Sequence, residues 1–393
     1  MGGARLEVAD VVRAHRDDFI AYRGGRISGA ERRVLGYIAS CRTAEQGGHV
    51  ERCDACGVLR IAYNSCRNRH CPKCQEQARE DWVADRQQEV LPVEYFHVVF
   101  SIPHELAPIA LQNKRLVYGI LFRATAETLS EIGADPKHLG AELGYLAVLH
   151  TWGSNIEHHP HIHCLIAGGG ISTDGLRWIP CRSGFFLPVR VLATLFRAKF
   201  LRLLKSAFCA QKIGFHGSLE PLRDGSNFRS YLRPLYKKRW VVYSKPPFGG
   251  PDIVLRYLAR YTHRVAISNN RLVSMDDGKI TFSWKDYRHG GKRRLMTLTG
   301  VEFLRRFLLH ILPHGFVRVR HYGFLANRCR VAKLDQCRRL IGAAPSPSPT
   351  TAVAESEPGR CPDCKRGRMV CILVLKPWQR EEILRLREVL DSS

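Results

Sequence analysis

The sequence predicts an α+β protein built around a mainly antiparallel sheet. Runs rich in β-branched and aromatic residues, such as "EYFHVVFSIP" and "GYLAVLHTWG", read as strands. At least one pair is joined by a hairpin, in "RLVSMDDGKITFSW", which turns at Asp277-Gly278. Amphipathic helices are mixed with these strands without a strict strand-helix alternation.

In order, residues Val8–Ala39 have helical apolar spacing at Val11, Val12, Phe19 and Ile20. A cysteine-rich stretch follows, then a strand over Tyr95–Ile102 and a helix over Leu111–Ile132. "GYLAVLHTWG" and the histidine run "HHPHIHCLIAGGG" read as two neighbouring strands, with "AGGG" as a turn or a point of close backbone approach. Pro188–Phe208 places Leu192, Leu195, Phe196, Leu203 and Leu204 inward and Arg197, Lys199, Arg202 and Lys205 outward. "RWVVYS" is a strand, Asp252–Ala266 a helix after the breaker "KPPFGGP", and Val301–Leu312 a further helix. Residues 342–360 are rich in Pro, Ser and Ala and cannot bury a core, so they form a linker. The expected domains are 1–90 (helical and metal-binding), 91–300 (catalytic), 301–341 (basic helical), the linker 342–360 and a cysteine-containing tail 361–393.

The formal net charge of +25 over 393 residues points to a polyanionic partner, most simply nucleic acid. No apolar run is long enough to span a bilayer and no secretory signal opens the chain, so the expectation is a cytoplasmic protein with no membrane partner. Its 14 cysteines are then thiols or metal ligands rather than disulfides. Cys53-x2-Cys56 and Cys71-x2-Cys74, with fourteen residues between the pairs, have the spacing of a four-thiolate structural zinc site. Cys41, His49, Cys66 and His70 are left over nearby and could close a second site. Cys361-x2-Cys364 could bind a further zinc with Cys329 and Cys337, or with Cys371.

His161 and His163 are two apart on a strand and project from one face, as two ligands of one metal would. His150, on the preceding strand, falls opposite His163 if the strands pair. It is a better third ligand than His263, which points about 140° away from the tyrosine face of its helix. Such a site suits Zn, Mn, Ni or Fe and could act as a Lewis acid on a phosphodiester. In the helix "DIVLRYLARYTHRVA", Tyr257 and Tyr261 share a face, and Arg256, Arg260 and Arg264 form a stripe suited to phosphates. The tyrosines are either a packing pair or nucleophiles toward a metal-bound phosphate. Trp284 and Tyr287 among Lys285, Arg288 and Arg293 could stack bases while cations follow the backbone.

"LHTWGSNIEHHPHIHCLIAGGG" followed by "YLARYTHR" resembles the HUH endonuclease superfamily, and more closely the rolling-circle transposases of the insertion-sequence-ninety-one family. "NSCRNRHCPKCQ" resembles that family's N-terminal zinc-binding domain. "YFHVVFSIPHEL", "FSWKDYRHGG" and "RHYGFLANR" also fit, so the resemblance runs from about Cys41 to Cys364. It implies a ferredoxin-like antiparallel sheet and a divalent metal, Mg or Mn, at the His-x-His strand. Tyr257 and Tyr261 would attack in turn, leaving a 5′-phosphotyrosine on single-stranded DNA of element ends and target. One departure is Cys329, where the family pattern has a histidine. A replication initiator or relaxase with the same chemistry, and a non-catalytic zinc-dependent DNA-binding regulator, remain the alternatives.

Overall fold

A computed structural model describes residues 5–86, 89–184, 186–248, 253, 262, 265–343 and 359–377. The tyrosine helix expected over Asp252–Ala266, with Tyr257, Tyr261, Arg256, Arg260 and Arg264, lies outside the described residues except for Ile253, Thr262, Val265 and Ala266.

The first elements are helices α1 (Val8–Tyr22) and α2 (Gly29–Ser40), strands β1 (Gly48–Cys53) and β2 (Leu59–Tyr63), and helix α3 (Pro72–Arg86). Next come β3 (Tyr95–Ser101), α4 (Ala107–Gln112), α5 (Lys114–Ala134), β4 (Ala141–Trp152), β5 (His158–Ser172) and β6 (Trp178–Pro180). Then follow α6 (Val189–Cys209), α7 (Gly225–Lys237), β7 (Val242–Phe248), β8 (Leu272–Asp276), β9 (Lys279–Asp286) and β10 (Lys292–Thr299). The last are α8 (Gly300–Leu308), β11 (Val319–Gly323), α9 (Arg330–Ile341) and β12 (Met369–Leu375).

The chain divides into two compact units. One gathers Arg79–Ala266 and Arg306–Pro347 around a sheet of order β11-β4-β5-β3-β7, with β6 beside β5 and all neighbours antiparallel. The chain returns from β3 to β4 through α4 and α5, and from β5 to β7 through α6 and α7. Two such crossovers around the order β4-β5-β3-β7 make a ferredoxin-like sheet. Strand alternation sends Phe96, Val98, Phe100, Ala147, Leu149, Ile162 and Cys164 to one face. There they are buried with Leu121 and Phe122 of α5 and Phe196 and Phe200 of α6, each large side chain contributing about 1.5–3 kcal/mol of transfer free energy. The opposite face buries Leu146, Val148 and Leu165 with Phe324 and with Leu334 and Cys337 of α9.

The other unit gathers Met1–Ala78, Ile267–Arg305 and Ser348–Ser393. It holds two small sheets, β12-β1-β2 and β10-β9-β8. Helix α2 starts on a capping box: Ser28 Oγ accepts from the Glu31 amide, and Glu31 accepts from the Ser28 amide at 2.7 Å.

Several expectations change. Val8–Ala39 is two helices, interrupted over residues 23–28, where Gly24 and Gly25 both take positive φ. Leu111–Ile132 straddles a break at Asn113 between α4 and α5. "AGGG" is no turn: Gly168–Gly170 stay extended within β5, and a Cβ on Gly169 would come within 2.6 Å of the Trp178 ring beside it. Residues 267–300, expected in the catalytic domain, group with the N-terminal segment. The expected tail contributes a strand, β12, paired with β1 from Gly48↔Leu375 to Cys53↔Met369.

Candidate active site

The histidine site sits at the joined ends of β4 and β5, on the sheet face away from α5 and α6. In the register His150 pairs directly with His161, and His163 with Val148. The expected His150–His163 opposition is therefore diagonal. The rings still converge, with centroids 4.4 Å apart for His150–His163, 5.6 Å for His150–His161 and 4.8 Å for His161–His163. One nitrogen from each of the three lies within 4.8 Å of the others. His150 is buried and the other two are half-buried, so the cluster has a closed floor and a more accessible rim.

Hydrogen bonds around the cluster suit it to a metal. His161 donates its Nδ1–H to the His159 carbonyl at 2.7 Å, which places the lone pair on Nε2. His163 Nδ1 lies 2.8 Å from Nε2 of His97 on β3, and the two rings stack at 5.0 Å and 7°. His97 is buried, and burial pushes its pKa down to about 3, the Lys245 charge adding to the effect. A neutral His97 can accept the Nδ1–H of His163 and so direct the Nε2 lone pair of His163 toward the cluster.

The hairpin loop that carries the site is pinned by His310, which donates to the Ile156 carbonyl at 3.0 Å and lies 3.2 Å from the Thr151 hydroxyl. Ile156 holds φ at 63°, a conformation that costs a β-branched residue energy and persists only when its surroundings enforce it. Neither His97 nor His310 was singled out from the sequence. The only signal of either is a lone histidine in an apolar run, "YFHVVF" and "FLLHIL".

The expected zinc quartet Cys53, Cys56, Cys71 and Cys74 does not assemble. Cys71 and Cys74 group with Cys41 and Cys66, while Cys53 and Cys56 group with Cys361 and Cys364. The reason is topological: the two knuckles lie at the far end of β1 and at the start of α3, and different segments meet each of them. In the first cluster Cys74 Sγ lies 3.6 Å from Cys41 Sγ and 3.5 Å from Cys66 Sγ, and Cys71 Sγ 3.6 Å from Cys41 Sγ. Hydrogen bonds among the four thiols, those to Cys41 first, hold Cys74 below the usual thiol range and push Cys66 and Cys71 above it. His49 and His70 belong to neither cluster; His49 instead pairs with Glu51 at 3.0 Å. Cys329 and Cys337 are not grouped with Cys361 either, and Cys337 is buried in the core beside Leu334.

Residues 144–333 match a family model described as "Putative transposase", and residues 11–102 one described as "Transposase zinc-binding domain". The chain is 56% identical over 377 residues to "Putative transposase y4qJ" of Sinorhizobium fredii, covering 93% of this chain and 94% of that one. The chain belongs to the insertion-sequence-ninety-one family of transposases. It is 26% identical over 329 residues to the transposase for insertion sequence element IS801 of Pseudomonas savastanoi pv. phaseolicola, covering 80% of this chain and 76% of that one. A solved structure of the conjugative relaxase TrwC with oriT DNA is also similar, at 13% identity over 45% of this chain and 73% of that one, with a TM-score of 0.25.

The protein is thus a rolling-circle transposase, and structural zinc is the metal of its N-terminal module. Among the described residues no helix is long and apolar enough to cross a membrane. In the transposase, β8 and β9 turn at Asp277-Gly278 with φ of 49° and 71°, and β10 adds a third strand that the sequence did not reveal. The expected stacking surface on this sheet is divided. Trp284 lies on the same face as Phe282 and Ile280, both buried, and pairs with Arg294. Lys285 lies on the opposite, outward face with Arg293 and Leu295. Tyr287, 73% exposed, and Arg288 follow in the short helical turn Tyr287–His289.

Proposed function

We propose that this transposase nicks and rejoins single-stranded DNA at its element's ends through a 5′-phosphotyrosine. The convergence of His150, His161 and His163 on one point carries the reading. A divalent cation bound there, Mg or Mn, would act as a Lewis acid on the scissile phosphate; three imidazoles suit Mn better than Mg. Tyr257 or Tyr261 supplies the nucleophile. Its hydroxyl oxygen bonds to phosphorus, the bond to the 3′ oxygen breaks, and that oxygen takes up a proton as a free 3′-hydroxyl. The phosphotyrosine ester keeps the bond energy, so rejoining by a 3′-hydroxyl needs no ATP. Arg256, Arg260 and Arg264 hold the phosphates, and the outward cations Lys285 and Arg293, with Tyr287, Arg288 and Trp284, extend the contact to flanking DNA. Cys41, Cys66, Cys71 and Cys74 hold structural zinc with no position left for water.

A replication initiator or relaxase would share this chemistry, but the 56% identity to a transposase over 93% of the chain favours transposition. The test is incubation of the protein with single-stranded oligonucleotides of the element's ends and Mg or Mn. We expect a site-specific nick and a covalent adduct, both lost on chelation and in His161→Ala or His163→Ala, with DNA binding retained. Full nicking under chelation would overturn the metal's role.

A further inference from the structure

We propose that Cys53, Cys56, Cys361 and Cys364 hold a second zinc ion, which clasps the C-terminal segment onto the N-terminal module. Cys361 and Cys364 lie beyond both matched family regions, which end at residues 102 and 333. The inference does not depend on the proposed nicking chemistry.

The geometry is that of two zinc knuckles facing each other. Cys53 Sγ lies 3.7 Å from Cys364 Sγ, and Cys56 Sγ 3.8 Å from Cys361 Sγ. A sulfur–sulfur bond would be about 2.05 Å. A tetrahedron with Zn–S bonds of about 2.3 Å has edges of about 3.8 Å, and the observed separations match it. Each knuckle also points a backbone amide at its own first or second sulfur. The Cys56 amide donates to Cys53 Sγ and the Gly367 amide to Cys364 Sγ, each at 3.4 Å. Such bonds stabilise thiolates. The chain turns through positive φ directly after each second cysteine, at Gly57 (75°) and Lys365 (59°). A Cβ on Gly367 would stand 2.4 Å from Cys53 Sγ, so only glycine lets the C-terminal knuckle close on the first.

The backbone delivers the two knuckles to each other. β12 pairs with β1 up to Cys53↔Met369. Beyond it, the Asp54 amide donates to the Arg368 carbonyl at 3.1 Å, and the Arg368 amide to Asp54 Oδ1 at 2.7 Å. Four thiolates around Zn²⁺ leave a net charge of −2, and Lys365, Arg366 and Arg368 follow the last ligand in sequence to offset it.

The test uses the full-length protein. Native mass spectrometry after removal of loosely bound metal should find two zinc ions per chain, and one in Cys361→Ser/Cys364→Ser. A second readout needs no variant. Cys56, Cys209 and Cys371 are all exposed. Under N-ethylmaleimide, Cys209 and Cys371 should alkylate at once, while Cys56 should stay unreactive until a strong chelator releases it together with Cys53, Cys361 and Cys364. One zinc in the unaltered chain, two in the double variant, or Cys56 reacting as fast as Cys371 would each overturn the clasp.

Discussion

His97 shows how one buried ring can support the proposed metal site without joining it. It stacks on His163 and shares a 2.8 Å hydrogen bond with it, so it sets which nitrogen of His163 faces the cluster. We predict that His97→Ala weakens Mn²⁺ binding roughly 10–100-fold, the usual range for losing such a partner. His97→Asn, which can still accept from Nδ1–H, should recover part of it. Calorimetric titration with Mn²⁺ decides; equal affinity in all three proteins would show that His97 only fills space. The two proposed ligands on β5 were legible because a strand repeats every second residue, so His161 and His163 had to share a face. His97 was not, because its role depends on β3 pairing with a strand more than sixty residues later, as Val99↔His163.

The β4–β5 hairpin is held from beneath as well as along its ladder. Tyr118 donates its hydroxyl to His158 Nε2 at 2.8 Å, and burial, with His310 and Lys114 adding, pushes the His158 pKa down to about 3. An unfolded histidine titrates near 6.5. Below that pH the unfolded chain takes up a proton that the folded chain refuses, so stability is intact above about pH 6.5 and falls as pH descends toward 3. Thermal unfolding of the full chain across this window should show the decline, and His158→Gln should shallow it; an unchanged slope would place the acid sensitivity elsewhere. Among the elements, the β8–β9 hairpin was legible because Asp-Gly between alternating strands demands its turn. The break at Gly24-Gly25 was not, because apolar spacing continues on both sides of it. The inward side of α6 was also legible: Leu192, Phe196, Leu203 and Leu204 are buried, while Lys199 and Arg202 reach Glu131 and Glu127 of α5 at 2.6 and 2.8 Å.

Across the whole molecule, neither compact unit is a continuous stretch of chain. That is why knuckle spacing suggested one zinc site from Cys53, Cys56, Cys71 and Cys74 where the fold brings together two separate cysteine clusters. Spacing reports which cysteines are close along the chain. It is silent about a strand that returns from residue 369 to pair with residue 53. The ferredoxin-like sheet, by contrast, came with the family resemblance, and the strand order bears it out. What the three histidines are for depends on a nucleophile reaching the phosphate they would activate, and that is the claim to test first. Single-stranded DNA of the element's ends should be incubated with the protein and Mn²⁺, and the trapped adduct digested and mapped by mass spectrometry. The 5′ phosphate should be found on Tyr257 or Tyr261, and the double variant Tyr257→Phe/Tyr261→Phe should bind the DNA without forming any adduct. An adduct on another residue, or one that survives in the double variant, would contradict the account.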